Sequence, residues 1–302
     1  MNLLITPAIS LTPQQQAQLE AVHTLYFLED ERIPLNSQNL SFDPHIIEGI
    51  ICNFFFQNNP LSALPNLRLI QLTSVGLDRV PLDEIHEKNI ALFNAGSVYA
   101  VPMAEWAVSM LLGLCKHSAF FFRNQEKHLW QKHRAIRELA GSRVGIIGFG
   151  NVGKKIGQRL KAFDTHICAV DIAEDLSGIA DAWYPISDLK SVLEQSDIII
   201  LTLPLLDSTY HILNAEMLSA MQDDAILINV ARGKLIDEKA LIHQLNSGRF
   251  WGVALDVFEE EPLSSDSPLW DFDRVILTPH NSFVGNGNST RLFDAIWNNL
   301  MK

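Results

Sequence analysis

The amino-acid sequence predicts an α/β protein with two Rossmann-like domains, a smaller flavodoxin-like one and a larger doubly wound one. Three observations support this fold class. Short apolar runs alternate with polar helical stretches from residue 1 to about 98, a glycine-rich strand–turn–helix pattern starts near residue 144, and apolar runs recur after it. Alternating strands and helices are typical of parallel sheets with helices on their faces. A chain of 302 residues is long enough to bury two cores.

The N-terminal part is predicted to form the smaller domain. Its apolar runs predict strands at 3–6, 24–28, 49–52, 67–72 and 90–93, and its polar stretches predict helices at 13–22 and 43–47. The amphipathic segment 291–300 follows the last strand of the larger domain and is expected to return to the first one. The predicted boundaries are therefore 1–98 plus about 281–302 for the smaller domain and 99–280 for the larger.

The segment 101–112 lies between the two predicted sheets and is apolar at nearly every position. This pattern predicts a helix that is buried on all sides and bridges domains or subunits. The three aromatic residues at 120–122 and Trp130 follow it, which is more apolar surface than one cleft needs. We therefore expect a homodimer built mainly through residues 99–140.

The larger domain is predicted to be a six-stranded, doubly wound sheet. Its strands are expected at 144–148, 166–170, 197–203, 225–230, 251–257 and 274–278, with helices between most of them. The first strand runs into a turn that contains Gly148, Gly150 and Gly153, and a helix is expected at 154–162. Gly148 permits the tight turn, Gly150 lets the backbone approach a pyrophosphate, and Gly153 lets the helix pack closely on the strand.

This glycine turn predicts a dinucleotide site, because a pyrophosphate would lie on the N–H groups and positive dipole end of the helix. Glycine turns of this kind also serve packing alone. Asp171 ends the second strand, 171 − 150 = 21 positions after Gly150, where a carboxylate can accept hydrogen bonds from the ribose diol of NAD. Residues 172–175 offer no cation for a 2′-phosphate, so the site is expected to prefer NAD over NADP.

Composition excludes several classes of function. The net charge of −12 argues against binding to nucleic acid or to an anionic membrane. Cys52, Cys115 and Cys168 have no paired spacing and are expected to be buried free thiols in a reducing cytosol. No signal peptide, membrane-spanning stretch or metal-binding motif is recognised, so a cytoplasmic protein without a metal is expected.

Four further stretches follow the glycine turn at predicted strand ends, where open α/β sheets bind their ligands. They are LTLPL at 201–205, INVARG at 228–233, ALDVFEEEPL at 254–263 and ILTPH at 276–280. With these motifs in this order, the chain resembles the D-isomer-specific 2-hydroxyacid dehydrogenase family from about residue 67 to its C-terminus. The resemblance also covers the turn at 74–78, Ala104-Glu105 and Trp130. It implies an NAD-dependent oxidoreductase that interconverts a small 2-oxo acid and its D-2-hydroxy acid between a substrate (catalytic) domain and an NAD-binding domain.

The resemblance assigns three catalytic residues. Arg232 would bind the carboxylate and carbonyl oxygen of the 2-oxo acid, since a guanidinium fork suits both acceptors. His280 would be the general acid/base, and Glu261 would orient its ring and favour the protonated form. Without this context, Arg232 would be a surface arginine that caps a turn and His280 a structural histidine. An acidic run is usually a solvated loop, and we expect this for Glu259 and Glu260.

The remaining predicted site residues bind the cofactor or the substrate. The backbone N–H groups of Val75 and Gly76 would hold the substrate carboxylate, and Asn94 and Gly96 would line the same cleft. Asp256 would lie near the nicotinamide carboxamide, or would simply cap a turn. The predicted cofactor-binding residues are Gly148, Gly150, Asn151, Val152, Gly153, Asp171, Leu203, Pro204, Thr209, Val230, Ala231 and Asp256.

Two other functions are compatible with the resemblance. Some relatives are NAD-sensing transcriptional corepressors with the same three residues, but they tend to carry extra tails. Phosphoglycerate dehydrogenase is a second alternative, although its long versions carry a regulatory domain and no cluster of extra cations for a phosphate is recognised here. The three phenylalanines at 54–56 instead suggest an apolar wall of the substrate pocket with at least one ring in the core. Residues 281–287 depart from the family pattern, which leaves the shape of that pocket open.

Overall fold

The computed structural model describes residues 1–174 and 176–302. Its chain divides into two compact units, residues 1–99 with 285–302 and residues 100–284. Both units have the α/β architecture that the alternation of strands and helices predicts. Asp175, one of the residues expected to offer no cation beside Asp171, lies outside the described residues.

The smaller unit is built on a five-stranded parallel sheet with the order β2-β1-β3-β4-β5. This is the strand order of flavodoxin-like folds, so the predicted fold of this part is confirmed. Strand β3 is buried at every position, as a central parallel strand covered on both faces must be. The elements are β1 (Asn2–Ile5), α1 (Pro13–Glu20), β2 (Thr24–Phe27), β3 (Gly49–Cys52), α2 (Phe55–Asn58), β4 (Leu69–Leu72), α3 (Leu82–Glu87) and β5 (Ala91–Phe93).

Two predicted helices of this unit are shorter in the structure. Helix α1 begins with a capping box between Thr12 and Gln15 and ends at Glu20, two residues before the predicted end. The predicted helix at 43–47 is a single 3₁₀ turn, Pro44–Ile46, which Asp43 caps at the N–H group of His45. Asp43 and Pro44 start a turn well, but three residues are too few to continue as an α-helix.

The larger unit contains a parallel sheet of seven described strands in the order β12-β11-β10-β9-β6-β7-β8. Its elements are α4 (Ala100–Cys115), α5 (Ser118–Glu126), β6 (Arg143–Ile147), α6 (Asn151–Leu160), β7 (His166–Asp171), β8 (Ala182–Pro185), α7 (Leu189–Gln195), β9 (Ile198–Leu201), α8 (Ala215–Ala220), β10 (Ile226–Asn229), α9 (Glu238–Asn246), β11 (Gly252–Leu255) and β12 (Val275–Leu277). The strand order reverses between β6 and β9, so the chain segments after these two strands lie at the switch point where open α/β sheets bind ligands.

The prediction of six strands was wrong, because β8 was missed. This strand pairs only with β7, at the edge of the sheet, and all four of its residues are half-buried. An edge strand needs no long apolar run, and it tolerates the proline at its end. The short sequence Ala-Trp-Tyr-Pro therefore carries little strand signal.

Helix α4 is long and apolar, as predicted, but within the single chain it is not buried on all sides. Ala104, Ala107 and Leu111 are fully buried where the helix packs on α6, β10 and β11. Glu105 and Ser109 are exposed on the opposite face. An apolar sequence shows that a helix can be buried all round, but only the neighbouring elements decide which faces are covered. Neither α4 nor another described helix combines the length and apolar character needed to cross a membrane.

The last helix, α10 (Asn288–Leu300), belongs to the smaller unit. Its apolar face, formed by Leu292, Phe293, Ile296 and Leu300, packs with residues of β1, α1 and β3 in one core cluster. Arg291 adds a hydrogen bond of 2.9 Å from Nε to the carbonyl oxygen of Val98. The three cysteines are buried free thiols, as their spacing predicted.

Candidate active site

The glycine turn after β6 has the shape that a dinucleotide requires. Gly148 has φ of +92°, and a Cβ atom on it would lie 2.5 Å from the backbone nitrogen of Leu203. A Cβ atom on Gly153 would collide with the carbonyl oxygen of Gly148. On Gly150, in contrast, a Cβ atom would meet nothing within 4 Å. Packing therefore explains Gly148 and Gly153, whereas Gly150 borders open space that a pyrophosphate can enter.

Helix α6 begins at Asn151, three residues earlier than predicted, so Asn151 and Val152 lie in its first turn. The residue before it, Gly150, has no side chain and makes no side-chain cap. The first N–H groups of an α-helix have no partner within the helix, and together with the dipole they attract an anion. The chain thus offers backbone donors beside the open space at Gly150.

Asp171 lies at the end of β7, and its carboxylate reaches back to the glycine turn. Oδ2 accepts a hydrogen bond of 2.6 Å from the N–H group of Phe149, and Oδ1 accepts one of 2.7 Å from that of Ile172. Each carboxylate oxygen can accept a second hydrogen bond. Asp171 therefore holds the turn in place and retains the capacity to accept the ribose hydroxyls that the sequence predicts for it.

The segment after β9 supports the same turn through Thr202, a residue that is not among the predicted site residues. The Thr202 hydroxyl donates to the carbonyl oxygen of Gly148. Among the predicted cofactor-binding residues of this segment, Leu203 is buried and Pro204 is exposed. Thr209 is buried and closes the loop, because its Oγ1 donates a hydrogen bond of 2.8 Å to the Pro204 carbonyl oxygen. The only sequence signal for Thr202 was its place directly after a strand, in the LTLPL motif.

Arg232 follows β10 in a turn that Asn229 organises. The buried Asn229 accepts from the N–H group of Ala231 at 3.0 Å and donates to the carbonyl oxygen of Arg232 at 2.9 Å. Asparagine that bonds the backbone two residues later is a known turn former, so the sequence does carry a signal for this role of Asn229. Val230 and Ala231 are buried. A Cβ atom on Gly233 would collide with the backbone of Phe258, so this glycine lets the Arg232 turn approach the acidic loop.

His280 and Glu261 form the pair that the sequence predicts. Nδ1 of His280 lies 2.8 Å from Oε2 of Glu261, and the other carboxylate oxygen accepts from the N–H group of Phe258 at 3.1 Å. A carboxylate only accepts hydrogen bonds, so Nδ1 carries the hydrogen and Nε2 is the nitrogen left for a substrate. The side chains of both residues are 36% exposed, so a small molecule can reach them.

The backbone of His280 is held in the left-handed region, with φ of +51°. This conformation is uncommon for a residue with a side chain and occurs at functional sites more often than elsewhere. The N–H group of His280 donates to the carbonyl oxygens of Asp256 at 2.7 Å and Thr278 at 3.0 Å. The Phe283 ring stands edge-on to the imidazole, with 6.0 Å between the ring centroids.

Asp256 holds the turn that carries His280. Its fully buried carboxylate accepts from the Thr278 hydroxyl and, at 2.8 Å each, from the N–H groups of Asn281 and Ser282. Complete burial and three donors show that Asp256 caps this turn, whereas its contact with the nicotinamide carboxamide stays a prediction. The same bonds determine the path of the 281–287 segment where it leaves His280.

The expectation of a fully solvated acidic run was wrong for Glu259. Its Oε1 atom accepts from the N–H group of Glu238 at 2.9 Å and lies 2.9 Å from Nε2 of His211, and the side chain is only 29% exposed. Glu260 is exposed, as expected. The three consecutive glutamates therefore differ in role, because the loop turns each of them toward a different neighbour.

In the smaller unit, the predicted substrate residues lie in the loop between β4 and α3. Val75 is 45% exposed, and its carbonyl oxygen accepts from the Asn94 side chain at 2.9 Å. Asn94 also accepts from the N–H group of Gly96 at 3.0 Å. Asn94 and Gly96 thus belong to the framework of the Val75-Gly76 loop. The backbone N–H groups of Val75 and Gly76 in this loop are candidates to bind an anionic ligand.

The structure also corrects the expectation that no extra cations cluster. The guanidinium groups of Arg32 and Arg79 both lie over the Phe54 ring, at the carboxyl edge of the smaller sheet. Of the three consecutive phenylalanines, Phe55 is fully buried, as expected for at least one of them, and Phe56 packs edge-on against it.

Similarity to known proteins identifies the family of this chain. Residues 108–282 match the model of the D-isomer specific 2-hydroxyacid dehydrogenase, NAD binding domain. The chain is 35% identical over 224 residues to hydroxypyruvate reductase from Thermotoga maritima, which covers 73% of this chain and 72% of that protein.

Solved structures of related enzymes match the fold over nearly the whole chain. D-lactate dehydrogenase from Aquifex aeolicus, complexed with NAD and lactic acid, has a TM-score of 0.81 and 26% identity, covering 99% of this chain and 94% of that one. A glyoxylate reductase from Paecilomyes thermophila has a TM-score of 0.86 and 25% identity, covering 100% and 94%. The family match, the relatives and the glycine turn agree, so this chain belongs to the D-isomer-specific 2-hydroxyacid dehydrogenase family and is a nicotinamide-dependent oxidoreductase.

Proposed function

We propose that the protein reduces small 2-oxo acids to D-2-hydroxy acids with NADH and catalyses the reverse reaction with NAD. The observation that carries this proposal is the hydrogen bond between His280 Nδ1 and Glu261 Oε2, in the same unit as the glycine turn and Arg232. Relatives named hydroxypyruvate reductase and glyoxylate reductase make hydroxypyruvate and glyoxylate the first substrates to test.

His280 and Glu261 move the proton in this proposal. Reduction of a ketone needs a proton at the carbonyl oxygen, and His280 supplies it from Nε2 because Nδ1 is bonded to Glu261. Glu261 keeps the ring oriented and stabilises the imidazolium form. In the reverse direction, the neutral ring accepts the proton of the hydroxyl group. When bound, the nicotinamide cofactor supplies the hydride equivalent that the carbonyl carbon accepts.

Arg232 and the Val75-Gly76 loop hold the substrate in this proposal. The guanidinium group offers a planar set of donors to the carboxylate and the carbonyl oxygen together, and it stays charged at every working pH. The backbone N–H groups of Val75 and Gly76 add donors for the carboxylate. In a protein with a net charge of −12, such placed donors are needed to hold an anionic substrate.

The same reasoning supports a preference for NAD over NADP. Asp171 is placed at the end of β7, beside the glycine turn, where its charge would repel a 2′-phosphate. Ile172 to Glu174, which follow it, contain no cation to offset this repulsion. Equal or better catalytic efficiency with NADPH would contradict this assignment.

We also propose that the protein is a homodimer formed mainly through residues 99–140. In the single chain, the Trp130 side chain is 100% exposed, and Phe122 and Leu129 are 65% and 52% exposed. Large apolar side chains exposed close together in sequence are typical of an interface with another chain.

The experiment that tests the proposed reaction follows NADH absorbance with a panel of 2-oxo acids: glyoxylate, hydroxypyruvate, pyruvate, and branched-chain and phenyl analogues. We expect reduction of at least one of them, and the product, separated on a chiral column where it has a stereocentre, should be the D-isomer. The variant His243→Ala, which removes an exposed histidine on α9, serves as a control that should retain the activity. Formation of the L-isomer, or the absence of any reduction with either NADH or NADPH, would refute the proposal.

A further inference from the structure

Two arginines and one aromatic ring meet at the carboxyl edge of the smaller sheet. The Cζ atom of Arg79 lies 4.4 Å from the centroid of the Phe54 ring, and that of Arg32 lies 4.9 Å from it. The three residues follow β2, β3 and β4, which are parallel, so their loops emerge at the same edge. In flavodoxin-like sheets this is the edge where ligands bind, next to the point where the strand order reverses between β1 and β3.

The buried carboxylate of Glu31 holds the loop of Arg32 against the loop of Phe54. Glu31, next to Arg32, is only 5% exposed and accepts from the N–H groups of Asn53 at 2.9 Å and Phe54 at 3.0 Å. It also accepts from the Thr6 hydroxyl at 2.8 Å. The loops after β1, β2 and β3 are therefore tied to one acid, and the Phe54 ring is held beside Arg32.

Arg79, the third residue of this group, is bonded to the loop that carries Phe54. Nη1 of Arg79 donates to Oδ1 of Asn53 at 3.2 Å. Arg79 lies three residues after Gly76, in the loop to which we assign the substrate carboxylate. A cation in this loop is therefore connected both to the Phe54 ring and to the proposed substrate site.

The charges of Arg32 and Arg79 are not neutralised by ion pairs in the part of the chain that the structure describes. Neither guanidinium lies within 4 Å of a carboxylate there, and the Glu31 carboxylate is occupied by its three donors. Other arginines of the chain do have carboxylate partners: Arg68 with Glu48, Arg123 with Asp273, Arg159 with Glu105 and Arg249 with Asp223. A guanidinium has five N–H donors, so each of these arginines has donors left for an anion even though Arg79 bonds to Asn53.

We infer that Arg32, Phe54 and Arg79 bind a second anionic group of the substrate, a carboxylate or a phosphate at the end distant from the 2-oxo group. This inference rests on the proposed function and narrows its substrate class to 2-oxo acids with a distal anion. Guanidinium groups bind carboxylates and phosphates through charge-assisted, often bidentate hydrogen bonds, so both groups suit the site.

The test compares matched substrates that differ in the distal group. One pair is 2-oxoglutarate and 2-oxovalerate, and the other is 3-phosphohydroxypyruvate and hydroxypyruvate. In at least one pair we expect the anionic member to have a kcat/KM about 10- to 100-fold higher, as charge-assisted bonds provide. The pair with the larger ratio identifies the distal group as a carboxylate or a phosphate. Raising the salt concentration should reduce the ratio, because ions screen exposed charges.

The variants Arg32→Gln and Arg79→Gln remove one charge each, and glutamine at 79 still offers a donor to Asn53. Each should lower the ratio about 10-fold, mainly through the KM of the anionic member. The matched control is Arg68→Gln, an exposed arginine that pairs with Glu48 elsewhere in the same unit and should leave the ratio unchanged. A wild-type preference for neither anionic member, or an unchanged ratio in both variants, would overturn the inference.

Failure of the proposed function is separable from failure of this inference. If the wild-type protein reduces no 2-oxo acid, the proposed function fails, whereas reduction without any preference for a distal anion contradicts the inference alone. Calorimetric titration with inorganic phosphate and with malonate tests the anion site independently of turnover. At least one of the two anions should bind the wild-type protein and lose measurable binding in the double variant Arg32→Gln/Arg79→Gln, and binding of neither by the wild type would refute the site.

Discussion

At the scale of single residues, the pair of His280 and Glu261 depends on unusual backbone geometry. A histidine at φ of +51° is uncommon, yet the carboxylate and the carbonyl oxygen of Asp256 accept hydrogen bonds that hold this turn. Glu261 is held in turn by the N–H group of Phe258. The two side chains of the proposed proton-transfer pair are therefore held in place by buried neighbours.

The first prediction concerns the proton donor. His280→Ala should lower the rate of the chemical step about 10²- to 10⁴-fold, the usual contribution of a positioned acid/base. NADH binding, measured by fluorescence titration, should change little, since the glycine turn and Asp171 lie on other strands. If His280→Ala kept most of its activity with an unchanged pH profile, another group would have to deliver the proton.

The second prediction concerns the partner of His280. Glu261→Gln keeps a hydrogen-bond acceptor for Nδ1 but removes the negative charge that stabilises the imidazolium. Reduction needs the protonated ring, so the variant should reduce the 2-oxo acid more slowly than the wild type, with a smaller loss of rate than in His280→Ala. Reduction rates of the wild type and the two variants, measured side by side, test this. A wild-type rate in Glu261→Gln would exclude this role for Glu261.

The third prediction concerns Arg232. Arg232→Ala should raise KM sharply and also slow turnover, because the 2-oxo group is no longer held for attack. Arg232→Lys should recover only part of the loss, since a lysine cannot offer the planar set of donors. A variant that lost turnover with KM unchanged would instead indicate a role confined to the chemical step.

At the scale of elements, the acidic loop and the start of α9 are joined by two glutamates. The N–H group of Glu238 donates to Glu259 at 2.9 Å, and the N–H group of Glu259 donates to Glu238 at 3.4 Å. This exchange ties the loop that carries Glu261 to the segment after Arg232. Burial raises the pKa of the Glu238 carboxyl, and the charges of Glu259 and Glu260 raise it further.

The fourth prediction follows from this raised pKa. Between the unfolded and folded pKa values of Glu238 the folded state binds more protons, so stability falls as pH rises through that window. Glu238→Gln removes the charge and keeps an acceptor for the Glu259 N–H group. We expect it to raise the melting temperature by about 1–3 °C at pH 7–8, with no gain below the unfolded pKa. Thermal unfolding of the wild type and the variant at pH 7–8 and at a pH below the unfolded pKa tests this. An equal gain in melting temperature at both pH values would point to a cause other than ionisation.

At the scale of the whole molecule, the proposed homodimer concerns the exposed apolar side chains between residues 99 and 140. Trp130, Phe122 and Leu129 are exposed in the single chain, and one face of α4 is only partly covered. A second copy of the chain would remove this surface from water.

The fifth prediction is that the wild-type protein sediments as a dimer at micromolar concentration. Trp130→Glu should shift the equilibrium toward the monomer, because a charge would then be buried in the interface. Trp270→Glu, at a side chain that is 54% exposed elsewhere in the larger unit, is the matched control and should leave the dimer intact. Sedimentation of the wild type as a monomer would contradict the proposed interface.

Local patterns allowed much of the fold and the candidate site to be predicted. The glycine turn, its helix and Asp171 are close together in sequence, and the spacing of glycines and acid reports a backbone shape directly. The strand-end motifs that contain Arg232, Glu261 and His280 are similarly short. Parallel strands bring their carboxyl ends to one edge of the sheet, so motifs at strand ends can be expected to meet there.

The tertiary structure alone decided the features that depend on distant neighbours. The edge strand β8 has too short an apolar run to be recognised, and the covered faces of α4 depend on what packs against it. Arg32 and Arg79 are far apart in the chain and meet only because β2 and β4 belong to one sheet, with Phe54 after the strand β3. A sequence pattern reports the backbone within one strand, turn or helix, whereas contacts between side chains of separate elements form only when the whole sheet is assembled.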